Sequence, residues 1–118
     1  SHTSREEKDK NFFNTNALND YLECIKNPET IKSICEDYRA AATVDLVDDR
    51  KSRDDKIKIN VPLLVLWGKK GKIEKWYDTL KIWQNYCSLE VKGRAINSGH
   101  YLAEENPIEI IKNIRKFI

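Results

Sequence analysis

From Ala17 onward the apolar residues of the first stretch keep a helical period. Leu18, Tyr21, Leu22 and Ile25 fall on one face, so a helix is predicted up to Asn27 and Pro28. Asn27 suits the N-cap of a second helix and Pro28 its first position, where the missing N–H is no loss. In that second helix Ile31, Ile34, Cys35, Tyr38, Ala41 and Ala42 share a face, which makes Tyr38 a packed ring on an apolar stripe. The period fades over 45–50, where the helix should fray. Residues 51–58 are charged apart from Ser52 and Ile57, and read as a solvated stretch able to hold one short helix. Ahead of the first helix, residues 1–10 are almost wholly polar and read as frayed or disordered.

A different pattern begins at Val61. Residues 61–68, Val-Pro-Leu-Leu-Val-Leu-Trp-Gly, form a short continuous apolar run ending in glycine, the pattern of a parallel strand buried on both faces. Pro62 stands at its start, where a missing N–H does least harm. Ile73, Trp76, Tyr77, Leu80 and Trp83 then mark one amphipathic helix ending near Cys87. Residues 89–96 read as a second strand interrupted at Gly93, and Ile110, Ile111, Ile114, Phe117 and Ile118 give a last helix with a strongly apolar stripe. Strand, helix, strand, helix is an α/β order, here preceded by a separate helical piece. Two strands do not make a self-sufficient parallel sheet, and a doubly buried strand needs a neighbour on each edge. The chain is therefore expected to be incomplete alone, with its missing strands upstream on the same polypeptide or on a second chain.

With 118 residues, 40% hydrophobic and 34% charged, the composition is that of a small globular domain, not a disordered segment. The net charge of +2 comes from nearly balanced acids and bases, so no nucleic acid and no anionic membrane is implied as a partner. No apolar run approaches the roughly 18 residues of a membrane span, and no secretory leader is visible. Cys24, Cys35 and Cys87 are widely spaced without a Cys-x-x-Cys pair, which argues for reduced thiols in a cytoplasmic protein and against a zinc site or disulfide framework. Ser1-His2 reads as a cloning remnant, which leaves His100 as the histidine with a candidate role.

His100 lies in Asn97-Ser98-Gly99-His100-Tyr101-Leu102-Ala103-Glu104-Glu105-Asn106-Pro107, between the second strand and the last helix. Gly99 allows a sharp turn, Asn106 suits an N-cap, Pro107 the first helical position and Glu109 the capping-box carboxylate. A histidine held on a loop at a strand end is well placed as a general base. Other candidates carry less. Gly68-Lys69-Lys70-Gly71-Lys72 lacks the phosphate-loop spacing. Glu36 and Asp37 are helical neighbours pointing roughly 100° apart and do not readily share a proton. Trp67, Trp76 and Trp83 stand at strand and helical spacings and read as core. No Gly-x-Ser-x-Gly or Gly-x-Asp-x-Gly elbow occurs, so the chain offers a base candidate without a nucleophile.

Three blocks, Cys35-Glu36-Asp37-Tyr38-Arg39-Ala40-Ala41-Ala42-Thr43, Pro62-Leu63-Leu64-Val65-Leu66-Trp67-Gly68 and Ser98 to Pro107, resemble the C-terminal part of haloacetate (fluoroacetate) dehalogenases of the α/β-hydrolase superfamily. The first block is the selective one; the other two are shared with epoxide hydrolases and many esterases. The resemblance runs from about Ala17 to Ile118. It implies a C-terminal portion of an α/β-hydrolase: a polar leader over 1–16, the end of a helical cap over 17–50, a linker over 51–60 and the end of the hydrolase core over 61–118. It also implies that an aspartate attacks the halogen-bearing carbon to form an ester, that His100 activates water to hydrolyse it, and that the hydroxyl of Tyr38 donates to the departing halide. The nucleophile, a substrate-binding arginine, the acid that orients the histidine and a His-Trp halide pair would all lie upstream. Many α/β-hydrolases carry the orienting acid just after the Trp-Gly strand. Here Lys69-Lys70-Gly71-Lys72 follows, which favours an acid from an earlier strand and leaves Glu74 as the alternative. The implied partners are a haloacid substrate and the N-terminal half of the hydrolase; a homodimer is allowed, and no metal or organic cofactor is implied. Two rivals stay open: an epoxide hydrolase or esterase of the same superfamily, and a non-catalytic interaction fragment.

Overall fold

A computed structural model describes residues 12–118; most of the polar leader expected over 1–16 lies outside the described residues. Asn14 to Lys58 form one unit, and Ile59 to Ile118, with Phe12 and Phe13, belong to another.

The first unit is built of three helices. Helix α1 (Thr15–Lys26) starts on Asn14, whose side chain accepts from the N–H groups of Asn16 at 3.0 Å and Ala17 at 3.2 Å. Asn27 ends α1 and caps α2 (Pro28–Ala42) by accepting from Glu29 N–H at 3.0 Å, so one asparagine and one proline make the corner, as their spacing predicts. The expected fraying over 45–50 does not occur. Thr43 leaves helical geometry at φ −132°, ψ −92°, its hydroxyl donates to the Arg39 carbonyl at 2.7 Å, and a third helix, α3 (Val44–Asp54), begins behind it. The hydroxyl competes for a carbonyl of the last turn of α2, a habit of threonine that periodicity does not register. The charged stretch is helical only as the continuation of α3. It stops because Lys56 takes a left-handed φ of 55°, with Lys56 N–H on the Arg53 carbonyl (3.0 Å) and Ile57 N–H on that of Ser52 (2.8 Å), the two bonds of a Schellman ending.

The second unit holds the sheet. Strands β1 (Leu63–Gly68) and β2 (Val91–Ile96) are parallel, with Leu63 opposite Val91 and Gly68 opposite Ile96. Two helices, not one, connect them: α4 (Lys72–Trp76) and α5 (Thr79–Tyr86). Tyr77 is extended, and the Asp78 carboxylate accepts from Lys81 N–H at 3.3 Å, so a new N-cap cuts the stretch that its apolar period makes continuous. Gln84 then fixes the return into β2, accepting from Val91 N–H and donating to the Leu89 carbonyl, both at 2.9 Å. Gly93 does not interrupt β2. A Cβ there would stand 2.1 Å from the Val65 carbonyl oxygen across the strand pair, so glycine is what lets the two backbones approach. After β2 come α6 (Leu102–Glu105) and α7 (Pro107–Phe117).

Among the described residues the buried apolar side chains are Cys87, Val91 and Ile96. Leu63 to Trp67 are half-buried rather than buried on both faces, because β1 has β2 as its one strand neighbour among these residues.

Candidate active site

The loop bearing His100 leaves the carboxyl end of β2 beside the carboxyl end of β1, the edge of a parallel sheet where open α/β folds hold their ligands. Its path is set by backbone contacts with the segment after β1. The N–H of Lys69 donates to the Ile96 carbonyl at 2.8 Å, and that of Lys70 donates to the Ser98 carbonyl at 3.0 Å. Ser98 itself is 2% exposed. The glycine requirement falls at Gly68 instead of Gly99. A Cβ on Gly68 would meet the Gly99 carbonyl oxygen at 1.8 Å, whereas no glycine among the described residues takes a positive φ. The lysine-rich loop thus serves His100 through its backbone, while its side chains face solvent.

His100 is exposed, with its ring edge-on to Tyr101 at 5.3 Å between centroids and 79° between planes. Phe13 and Phe12 pack against Tyr101 in turn, with ring centroids at 5.5 Å and 6.0 Å. The histidine therefore borders a small aromatic group within its own unit.

Two carboxylates hold the loop. Glu105 accepts from Gly99 N–H through Oε2 and from Tyr101 N–H through Oε1 at 3.1 Å, one residue on each side of His100. Glu109 accepts from Asn97 N–H at 3.4 Å and from the Asn106 side-chain amide at 2.9 Å. Asn106 in turn donates to the Asn97 carbonyl at 3.3 Å and accepts from Glu109 N–H at 3.3 Å. The predicted cap at Asn106-Pro107 is present, but Glu109 turns to the loop rather than to the Asn106 backbone N–H, which donates to Leu102. Glu105 escapes a reading by residue type, since it is one of many acids. Its signal is its spacing, one helical turn beyond Tyr101.

Glu74, the alternative orienting acid, accepts a hydrogen bond from the Trp67 indole N–H, so its carboxylate is engaged by the strand that precedes it. Tyr38 lies on α2, in the other unit, and is 75% exposed. The packed ring expected from its stripe is absent, because no residue of α1, α2 or α3 is buried. No group of His, Cys, Asp and Glu among the described residues could hold a metal ion, and none of their helices is long and apolar enough to cross a membrane.

No protein-family model matches the chain. Solved structures do. An α/β-hydrolase from Nostoc sp PCC 7120, provisionally so described, is 44% identical, with a TM-score of 0.84 over 92% of this chain and 36% of its own. A Salmonella enterica protein provisionally described as an acyltransferase is 41% identical, with a TM-score of 0.82 over 92% of this chain and 35% of its own. The fold is that of the C-terminal portion of an α/β-hydrolase. A third α/β structure, a Q244E variant of a provisionally described epoxide hydrolase from Pseudomonas aeruginosa, is 28% identical, with a TM-score of 0.82 over 93% of this chain and 36% of its own. Among curated proteins, a fluoroacetate dehalogenase from a Burkholderia species is 24% identical over 106 residues, 90% of this chain and 34% of that protein. The chain spans about a third of the length of each of these α/β relatives.

Proposed function

We propose that this chain supplies a histidine base and a halide-binding tyrosine to a hydrolytic haloacetate dehalogenase, residues 17–50 ending its cap and 61–118 its core. The observation that carries the proposal is the Cys35-Glu36-Asp37-Tyr38-Arg39-Ala40 block on α2, supported by the similarity to the Burkholderia fluoroacetate dehalogenase. An exposed Tyr38 is free to offer its hydroxyl to a ligand. In the proposed cycle an upstream aspartate attacks the halogen-bearing carbon. The carbon–halogen bond breaks, and the halide leaves with the bonding pair while Tyr38 donates to it. His100 then takes a proton from water, whose oxygen adds to the ester carbonyl. The bond from that carbonyl carbon to the ester oxygen breaks, and the departing oxygen takes the proton back from His100, freeing the aspartate and the hydroxy acid. The substrate is a small haloacid, the partner is the N-terminal half of the hydrolase, and no cofactor takes part.

A second reading, an epoxide hydrolase or esterase, is favoured by the Pseudomonas structure at 28% identity. His100 keeps its role there, and Tyr38 serves an epoxide oxygen or packs. The deciding experiment offers the complete protein fluoroacetate, chloroacetate, styrene oxide and p-nitrophenyl acetate. Release of halide in step with hydroxy acid supports the dehalogenase; diol or nitrophenol without halide replaces it with the second reading.

A further inference from the structure

The contacts that shape the His100 loop divide at His100 itself. On the upstream side, Ile96 and Ser98 are tied through their carbonyls to Lys69 and Lys70, and Gly68 packs against Gly99. None of these reaches beyond Gly99. The backbone on both sides of His100 is instead joined by one side chain, Glu105, whose two oxygens take the N–H groups of Gly99 and Tyr101. Glu105 is tied back in return, its own N–H donating to the Tyr101 carbonyl at 2.9 Å. Glu105 is half-buried, and of its two charge-assisted bonds the one from Gly99 is partly shielded from water while the one from Tyr101 is exposed.

We propose that Glu105 is the positioning residue of His100, a clamp whose two oxygens fix the backbone before and after the base and so aim its imidazole. The proposal rests on the reading of His100 as the base. With the torsions from Gly99 to Tyr101 held, the Cα–Cβ direction of His100 is set before substrate arrives, and the ring keeps only its side-chain rotations. A base must meet its proton within hydrogen-bond reach, and a displacement of about 1 Å can cost on the order of 100-fold in rate. Glu105 touches neither substrate nor imidazole in this role.

The test uses the complete protein, with Glu105→Ala, Glu105→Gln and His100→Ala compared with wild type on whichever of the four substrates above it turns over. Glutamine keeps one acceptor oxygen but turns an NH2 group toward the second amide, so it preserves one of the two bonds. Glu105→Ala should lower kcat roughly 10- to 100-fold with KM nearly unchanged, and Glu105→Gln should fall between it and wild type. Amide hydrogen exchange at Gly99 and Tyr101 should quicken in the same order. On a haloacetate, the slowed step should be ester hydrolysis, so the carboxymethyl ester of the aspartate accumulates by intact mass while the halide burst stays at its wild-type rate. A folded Glu105→Ala protein with wild-type kcat, or one whose KM rises while kcat holds, overturns the proposal. Should Glu105→Ala not fold, Glu105→Gln is judged against the same limits. Should His100→Ala turn over normally, the reading of His100 as base fails first and the clamp falls with it, an outcome distinct from an inert Glu105 variant.

Discussion

At the scale of single residues, His100 and Tyr38 separate the two halves of the proposed reaction. His100→Ala or His100→Asn in the complete protein should leave halide displacement intact and stop ester hydrolysis. One equivalent of halide then appears in a burst, and the protein gains the mass of the carboxymethyl group; normal turnover would remove His100 from the reaction. Tyr38→Phe deletes only a hydroxyl. Because the ring is mostly exposed, the melting curve should hardly move. A hydrogen bond to the growing halide charge is worth roughly 1.5–3 kcal/mol, or about 10- to 150-fold in rate. Fluoride concentrates its charge most and leaves least readily, so kcat/KM for fluoroacetate should fall further than for chloroacetate. Equal small losses on both would remove Tyr38 from halide binding.

At the scale of elements, the ends of β1 and β2 are coupled through Gly68. An alanine there must displace the Gly99 carbonyl, 1.8 Å from the new Cβ, and with it the loop that carries His100. Gly68→Ala should cost about 1–3 kcal/mol by denaturant unfolding, as overpacked sites do, and should lower kcat although Gly68 is not assigned a role in the reaction. Unchanged stability and turnover would show that the two strand ends are not so coupled. The α7 cap is the second joint. Asn106→Ala removes a cap worth about 1 kcal/mol, and it also releases Asn97 and Glu109, so the measured loss of stability should exceed that of a simple cap deletion. A loss within a few tenths of the simple value would assign Asn106 to α7 alone.

At the scale of the whole molecule, the balance of buried and open apolar surface is unusual for a free domain. Cys87, Val91 and Ile96 are buried, while Tyr21, Ile31, Trp76, Ile108 and many other large apolar residues among those described are exposed. So little burial cannot offset the conformational entropy of ordering the chain. Expressed by itself, the chain should bind hydrophobic dye, melt without a cooperative transition and release no halide from haloacetates. A sharp melt from a pure monomer, with turnover, would contradict both this expectation and the proposed division of the active site.

Much was legible in the sequence, for local reasons. Asn27-Pro28 and Asn106-Pro107 mark their helix starts because asparagine brings the side-chain acceptor a cap needs and proline a φ already fixed in the helical range, both intrinsic to those residues. The first strand follows from a continuous apolar run ending in glycine, and the α/β order from the helical periods that separate and follow the two strands. Breaks at Thr43 and Asp78 were not legible from period alone, since one side chain that bonds its own backbone overrides several apolar neighbours. Tyr38 shows the limit of an apolar stripe: it states what can be buried, and the surrounding chain decides whether it is. The sequence by itself also singled out His100, as a histidine on a loop between strand and helix. Only the tertiary structure revealed that Gly68 makes room for that loop and that Glu105 grips both its sides. Those contacts join residues that are distant in the chain, or distinguish one acid among many, by position in space alone.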